Sequence, residues 1–150
     1  MGMSYRFEFD RVNRILRASI EGAIADEEIS IFRTDTAKLV SEAKPSSCIV
    51  DLSQTKQYDI SSANIRVLAK SAPAVPGISI LVVVVAPSTH MFGLTRMFQI
   101  TSEETRPWFR VVKSSKEAYE LLRAESPSFE PVPEDAEARK KMWGIANTDQ

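Results

Sequence analysis

The chain has 150 residues and a mass of 16.8 kDa, with 43% hydrophobic and 26% charged residues, which suits one globular domain and leaves little for a second. Lys and Arg total 19 against 20 Asp and Glu, a net charge of −1, so composition offers no basic surface for nucleic acid. One cysteine, Cys48, and one histidine, His90, exclude an internal disulfide and a multi-thiolate metal centre, and leave little for a histidine-based triad.

Tyr5, Phe7 and Phe9 alternate with Arg6, Glu8 and Asp10, the period of a half-buried strand. After a short connection at Arg11 to Asn13, Leu16, Ala18 and Ile20 alternate with Arg17, Ser19 and Glu21. The two stretches predict an antiparallel hairpin ended by Gly22. Asp26-Glu27-Glu28 supplies a capping residue and acidic charge for a first helix, whose inward stripe is Ile29, Phe32, Leu39, Val40 and Ala43 before Pro45 stops it. Cys48 to Leu52 is short, apolar and β-branched, as a buried strand is. Gln54 to Tyr58 is polar and predicts a loop.

Asp59, Ser61 and Ser62 can each cap a second helix, with Ile65, Leu68, Ala69 and Ala72 inward and Pro73 and Pro76 bracketing the loop after it. Ile78 to Ala86 is a nearly unbroken Val/Ile/Leu run, the mark of a strand covered on both faces of a parallel sheet. Pro87-Ser88-Thr89 opens a third helix bearing Met91, Leu94, Met97 and Phe98. Trp108, Phe109, Val111 and Val112 form a fifth strand, and Ser114 with Glu117 makes a capping box for a last helix, with Ala118, Leu121 and Leu122 inward. The expected order is β-β-α-β-α-β-α-β-α, an α/β domain over residues 1–124 with a five-stranded mixed sheet and four helices.

Composition shifts at Glu125. Pro127, Pro131 and Pro133 interrupt regular structure, and five acidic residues precede Arg139, Lys140 and Lys141. Residues 125–150 are expected to form an extended tail. The alternative is a tail docked through Phe129 and Trp143 onto the domain or a neighbouring subunit.

The segment Val50-Asp51-Leu52-Ser53 … Asp59-Ile60-Ser61-Ser62 resembles the STAS and SpoIIAA-like family, the anti-sigma factor antagonists and their relatives, in which two aspartates stand eight apart as Asp51 and Asp59 do. The stretches Ala86-Pro87 … Phe92-Gly93-Leu94-Thr95-Arg96-Met97-Phe98 and Val111-Val112-Lys113-Ser114 … Glu117-Ala118 are similar to the uncharacterised bacterial SpoIIAA-like branch. The resemblance covers roughly residues 4–123. It implies a right-handed β-α superhelix with the strands in sequential order, the first antiparallel to the rest, shared in outline with the CRAL-TRIO lipid-transfer domains. It also implies a phosphorylated serine at the turn, here Ser61, and a partner of the anti-sigma kinase kind. Two departures, Ile60 for the first serine of the turn and Ser62 for its glycine, count against a kinase-operated switch.

Read from the residues alone, Ser61 sits where a phosphate would meet free amides and the helix dipole, or where a serine simply caps. His90, at the head of the third helix, suits a neutral base or ligand, but with no cysteine beside it and no second histidine to join it a surface or packing role is the favoured reading. Arg96 stands where open parallel sheets bind anions, or pairs with a carboxylate such as Glu103. Met91, Phe92, Met97 and Phe98 exceed one helical stripe, so part of that surface lines a pocket or meets a partner. Asp51 and Asp59 alone are a weak metal signal, and no catalytic or nucleotide-binding motif appears.

The expectation is therefore a cytoplasmic, non-enzymatic binding module without cofactor or metal. Neither a signal core nor a myristoylation motif is present at Met1-Gly2-Met3-Ser4, and the longest apolar run, Ile80 to Ala86, has seven residues where a membrane span needs roughly 20. Its contacts to a protein partner are expected at Asp59 to Ala63 (Asp59, Ser61 and Ser62) and on the third helix (His90, Phe92, Arg96 and Met97). The alternative is a carrier or sensor of a lipophilic small molecule. A third expectation is a homodimer whose tail crosses to the other subunit.

Overall fold

The alternating stretches at the start form β1 (Met3–Asp10) and β2 (Ile15–Ala25), paired antiparallel from Met3 opposite Gly22 to Asp10 opposite Ile15. The computed structural model describes residues 3–71 and 80–144. Asp10, 1% exposed, closes the hairpin. Its carboxylate accepts from the backbone N–H of Val12 and Asn13, from Asn13 Nδ2, and from the N–H of Ser128. Burial pushes its pKa up, but these donors outweigh burial and hold it below the usual value.

β2 does not end at Gly22. A register shift between Gly22 and Ala23, with Gly22 at φ 83°, carries the strand on to Ala25. Thr55 to Tyr58, expected as loop, and Asp59, expected as a helix cap, form β4 (Thr55–Asp59), a fourth strand parallel to this upper half of β2. α1 (Asp26–Ala43) starts without a side-chain cap: Ala25 is its N-cap, and Asp26 instead sits in the first turn, where the dipole favours its charge. The stop at Pro45 is as expected, with Lys44 left-handed at the C-cap.

β3 (Ser47–Asp51) pairs parallel with the lower half of β2 and with β5 (Leu81–Val85), which pairs parallel with β6 (Phe109–Val112). The order β6-β5-β3-β2-β1 is sequential apart from β4, and only β1 in this run is antiparallel. Ala72, Pro73, Pro76 and Ile78 lie outside the described residues.

Period-two alternation distributes side chains between two layers. Toward one face, Ala18, Ile20, Leu52, Val84 and Ala86 pack with α1, α2 (Ser62–Lys70) and α3 (Thr89–Thr101). Toward the other, Ile15, Ile49, Val83 and Val85 pack with Ala118 of α4 (Ser115–Leu122). Val83 and Val85 are 0% and 1% exposed, so β5 is covered on both faces as its composition predicts.

Residues 125–144 lie against this domain rather than extending from it. Phe129 stacks near Tyr119 and beneath the Arg17 guanidinium, 3.9 Å from its ring centroid. β7 (Glu130–Pro131) adds antiparallel to β1, and α5 (Ala136–Trp143) delivers Trp143 edge-on to Phe9 at 4.9 Å. The class is thus the expected α/β, with seven strands and five helices among the described residues where five and four were expected. The additions are β4, β7 and α5, all from polar or proline-broken sequence.

Glu42 holds the end of α1 to α5: Arg139 Nε donates to its Oε1 at 2.9 Å and Trp143 Nε1 at 3.3 Å. Arg139 and Trp143 hold the carboxyl below its ordinary 4.5 against the opposing effect of burial. Folded Glu42 therefore binds a proton less readily than unfolded Glu42, so its contribution is whole at neutral pH and fades as pH falls below 4.5. Glu42→Gln is expected to cost about 1–3 kcal/mol at pH 7. In urea unfolding across pH, the gap to the native protein should close toward acid.

Candidate functional site

Between the sheet and the α1–α2–α3 layer lies an apolar cavity of about 240 Å³. Ile20, Val50, Leu52, Val82 and Val84 line it from the sheet, with Cys48 beside them. α1 contributes Phe32, Thr36, Ala37 and Val40; α2 contributes Ile65 and Leu68; α3 contributes Thr95 and Phe98. Thr36 and Ala37 are small side chains on the inward stripe of α1, where a leucine would close the gap. The wall's hydroxyls turn away from the space. Thr36 Oγ1 donates to Phe32 O at 2.8 Å, and Thr95 Oγ1 to Met91 O at 2.7 Å. Cys48 is a neutral thiol, its pKa pushed up to about 12 by burial.

Arg33 and Arg106 are the two charged residues among the described lining residues. Arg106 is 5% exposed, and its Nη1 donates to Ala69 O near the end of α2 at 3.2 Å. Its guanidinium lies 5.1 Å from the Phe98 ring centroid. Burial, then the nearby Arg33 charge, hold the Arg106 pKa below its ordinary value.

Beside the cavity, α2 begins at an exposed turn. Ser61 is its N-cap, extended at φ −72° and ψ 154°, and its Oγ accepts from Asn64 N at 3.0 Å. Asp59 is exposed at the end of β4 and accepts from Gln57 Nε2 at 3.1 Å; Ser62, also exposed, is the first helical residue. These three stand together in sequence and at one end of α2. On α3, Ser88 caps by accepting from Met91 N, and His90 is exposed in the first turn. Arg96 points outward and donates to Gln99 Oε1 at 3.2 Å on its own helix. Phe92 and Met97 are half-buried against the core, and Lys113 Nζ lies 5.1 Å from the Phe92 ring centroid. Among the described residues, none of the seven expected site residues lines the cavity. Of the surplus α3 apolar residues, Phe98 alone does.

The chain matches no protein-family model and no curated protein. Among solved structures, the anti-sigma factor antagonist SpoIIAA in its unphosphorylated form is similar at a TM-score of 0.56 and 11% identity, over 81% of this chain and 98% of that one. The fold is SpoIIAA-like. An anti-sigma factor antagonist from Mycobacterium paratuberculosis matches at a TM-score of 0.50 and 16% identity, over 81% of this chain and 95% of that one. An uncharacterized DUF3478-family protein with a SpoIIAA-like fold, from Shewanella loihica, matches at 0.50 and 13%, over 81% and 94%. At these identities the likeness is one of fold.

On this SpoIIAA-like frame the sequence reading located the α2 turn but passed over the two cavity arginines. A signal for Arg33 exists. Ile29, Arg33, Ala37 and Val40 recur at helical spacing, so an arginine occupies a position that the stripe reserves for apolar residues. Arg106 precedes Pro107 and Trp108, outside any periodic segment, and carries no comparable signal.

The Ser61 cap is directly testable. Ser61→Ala is expected to lower stability by about 1 kcal/mol, whereas Ser61→Asp, which retains an acceptor and adds charge at the positive helix end, should stay within a few tenths. Urea titration of both variants checks the difference.

Proposed function

We propose that this chain is a non-enzymatic binding module whose cavity holds a lipophilic small molecule, as a carrier or sensor. The observation carrying this reading is the cavity itself: about 240 Å³, just under the usual range for ligand sites, walled by aliphatic and aromatic side chains whose hydroxyl neighbours are already satisfied. Apolar lining of a pocket that opens to water is costly to leave hydrated, and an apolar ligand takes that surface out of water. The wall's one thiol, Cys48, is neutral at pH 7 and a poor nucleophile, which supports binding rather than chemistry.

Native mass spectrometry of the protein isolated from its own host tests the proposal. A bound apolar molecule is expected, and Leu68→Trp, which projects bulk into the cavity from α2, should weaken its retention at least about tenfold. A clean unliganded mass, with no shift when medium-chain apolar compounds are added, would sink the reading.

A second reading keeps protein contact as the output, as in a regulatory module of the anti-sigma antagonist kind. It is favoured by the exposed side chains of Asp59, Ser61, Ser62 and Ala63 and by Val67 and Ile100, 64% and 59% exposed on the neighbouring helices α2 and α3. Because α2 also walls the cavity, the two readings are compatible. Phosphate on Ser61 in host-purified protein, read by intact mass and peptide mapping, supports a switch at this turn; unmodified Ser61 under all growth conditions removes it.

A further inference from the structure

Negative charge is missing from one long stretch of this chain. Residues 60–102 contain none of the 20 Asp and Glu, and α2 and α3, which lie inside that stretch, carry Arg66, Lys70 and Arg96. The two helices pack side by side. On α2, Ala63, Arg66, Val67 and Lys70 recur at helical spacing and are exposed; on α3, Gly93, Arg96 and Ile100 do the same. Val67 and Ile100 are the large apolar side chains of this face. Among the described residues, none of the three cations forms an ion pair, and Arg96 donates to the neutral Gln99 side chain. Carboxylates lie around the face. Asp59 precedes α2, Glu103 and Glu104 follow α3, and Glu27 and Asp35 are exposed on α1. A chain of net charge −1 thus presents one positive, partly apolar surface.

We propose that the α2–α3 face docks on an anionic lipid surface, with Arg66, Lys70 and Arg96 at the level of the headgroup phosphates and Val67 and Ile100 at the acyl boundary. Lys and Arg keep their charges in the polar layer on long flexible stems, while the aliphatic side chains between them enter less polar surroundings, as on a helix that lies in a membrane interface. Anionic headgroups attract each of these cations, and no carboxylate on either helix opposes them. A protein is the poorer match, because the two helices expose no Trp, Tyr or Phe for a partner's pocket to grip. The inner side of α2 roofs the cavity through Ile65 and Leu68, so the helix laid on lipid is the one that covers the apolar space. Attachment itself needs no molecule in the cavity, and the two proposals stand or fall separately.

Co-sedimentation of the full chain with vesicles tests this, using equal parts phosphatidylglycerol and phosphatidylcholine against phosphatidylcholine alone. At about 0.1 M salt the protein is expected to partition onto the anionic vesicles at least about tenfold better, and about 1 M salt should abolish the difference. Arg66→Gln with Lys70→Gln should lower that partition about fivefold for each charge removed, and Val67→Asp at least about tenfold. Arg96→Gln, on the other helix, repeats the test should the α2 variant fold poorly. Lys116→Gln, exposed on α4 against the opposite side of the sheet, should leave partition within about twofold of native. Equal partition onto both vesicles overturns the charge-read surface. Partition onto neither overturns the lipid assignment and returns the face to a protein or a second copy. Native partition retained in the Arg66/Lys70 and Arg96 variants overturns its placement on α2 and α3.

Discussion

At Gly22 one strand exchanges partners. Residues 15–19 of β2 run beside β3, and residues 22–25 run beside β4, on the same edge and in the same direction. The chain steps across the change in a turn at Leu52 to Gln54: Leu52 N donates to Val85 O, and Thr55 N to Leu52 O. The buried Thr55 hydroxyl then donates to Ile20 O at 2.8 Å, satisfying a backbone carbonyl just where the ladder is interrupted. α2 consequently starts from the far end of β4. Five residues of strand span about 16 Å, so the helix returns as a roof over Val50 and Val84 instead of settling directly onto them. The cavity and the exposed turn that opens α2 both follow from this displacement.

The elements legible from sequence are those whose burial is written in periodicity. β1 and β2 alternate because each has one covered face. β5 is uniformly apolar because Val84 meets the α1–α3 layer while Val83 and Val85 meet α4. β4 was illegible for the opposite reason. Lys56, Gln57 and Asp59 are exposed, so its residence in the sheet rests on main-chain pairing, which leaves no hydrophobic pattern. Gly22 read as a terminator, but a left-handed glycine within a strand also marks a bulge, and sequence does not separate the two. At the site, exposed capping serines announce themselves by type and position. The cavity does not, since it results from what is small at Thr36 and Ala37 and from where α2 is set down.

The C-terminal segment shows how prolines and charge conceal a packed structure. Its contacts are few but each is placed on something unsatisfied. Ser128 N completes the donors around Asp10, Val132 N bonds Phe7 O at the exposed edge of β1, and Arg139 meets Glu42. Arg17 belongs to the same pattern on the opposite face, held by Glu8 at 2.7 Å, by Tyr119 and by the Phe129 ring. A charged residue in the middle of a strand is tolerable there because the last part of the chain folds back to enclose it.

Cys48 gives this architecture a clock. With its pKa pushed up to about 12 by burial, the thiol stays protonated at pH 7 while the wall is closed. Alkylation must then await an excursion in which α1 lifts away and water reaches the sulfur. The speed at which a soluble maleimide labels the native protein therefore measures how often that wall parts, and an occupied interior slows the ticking.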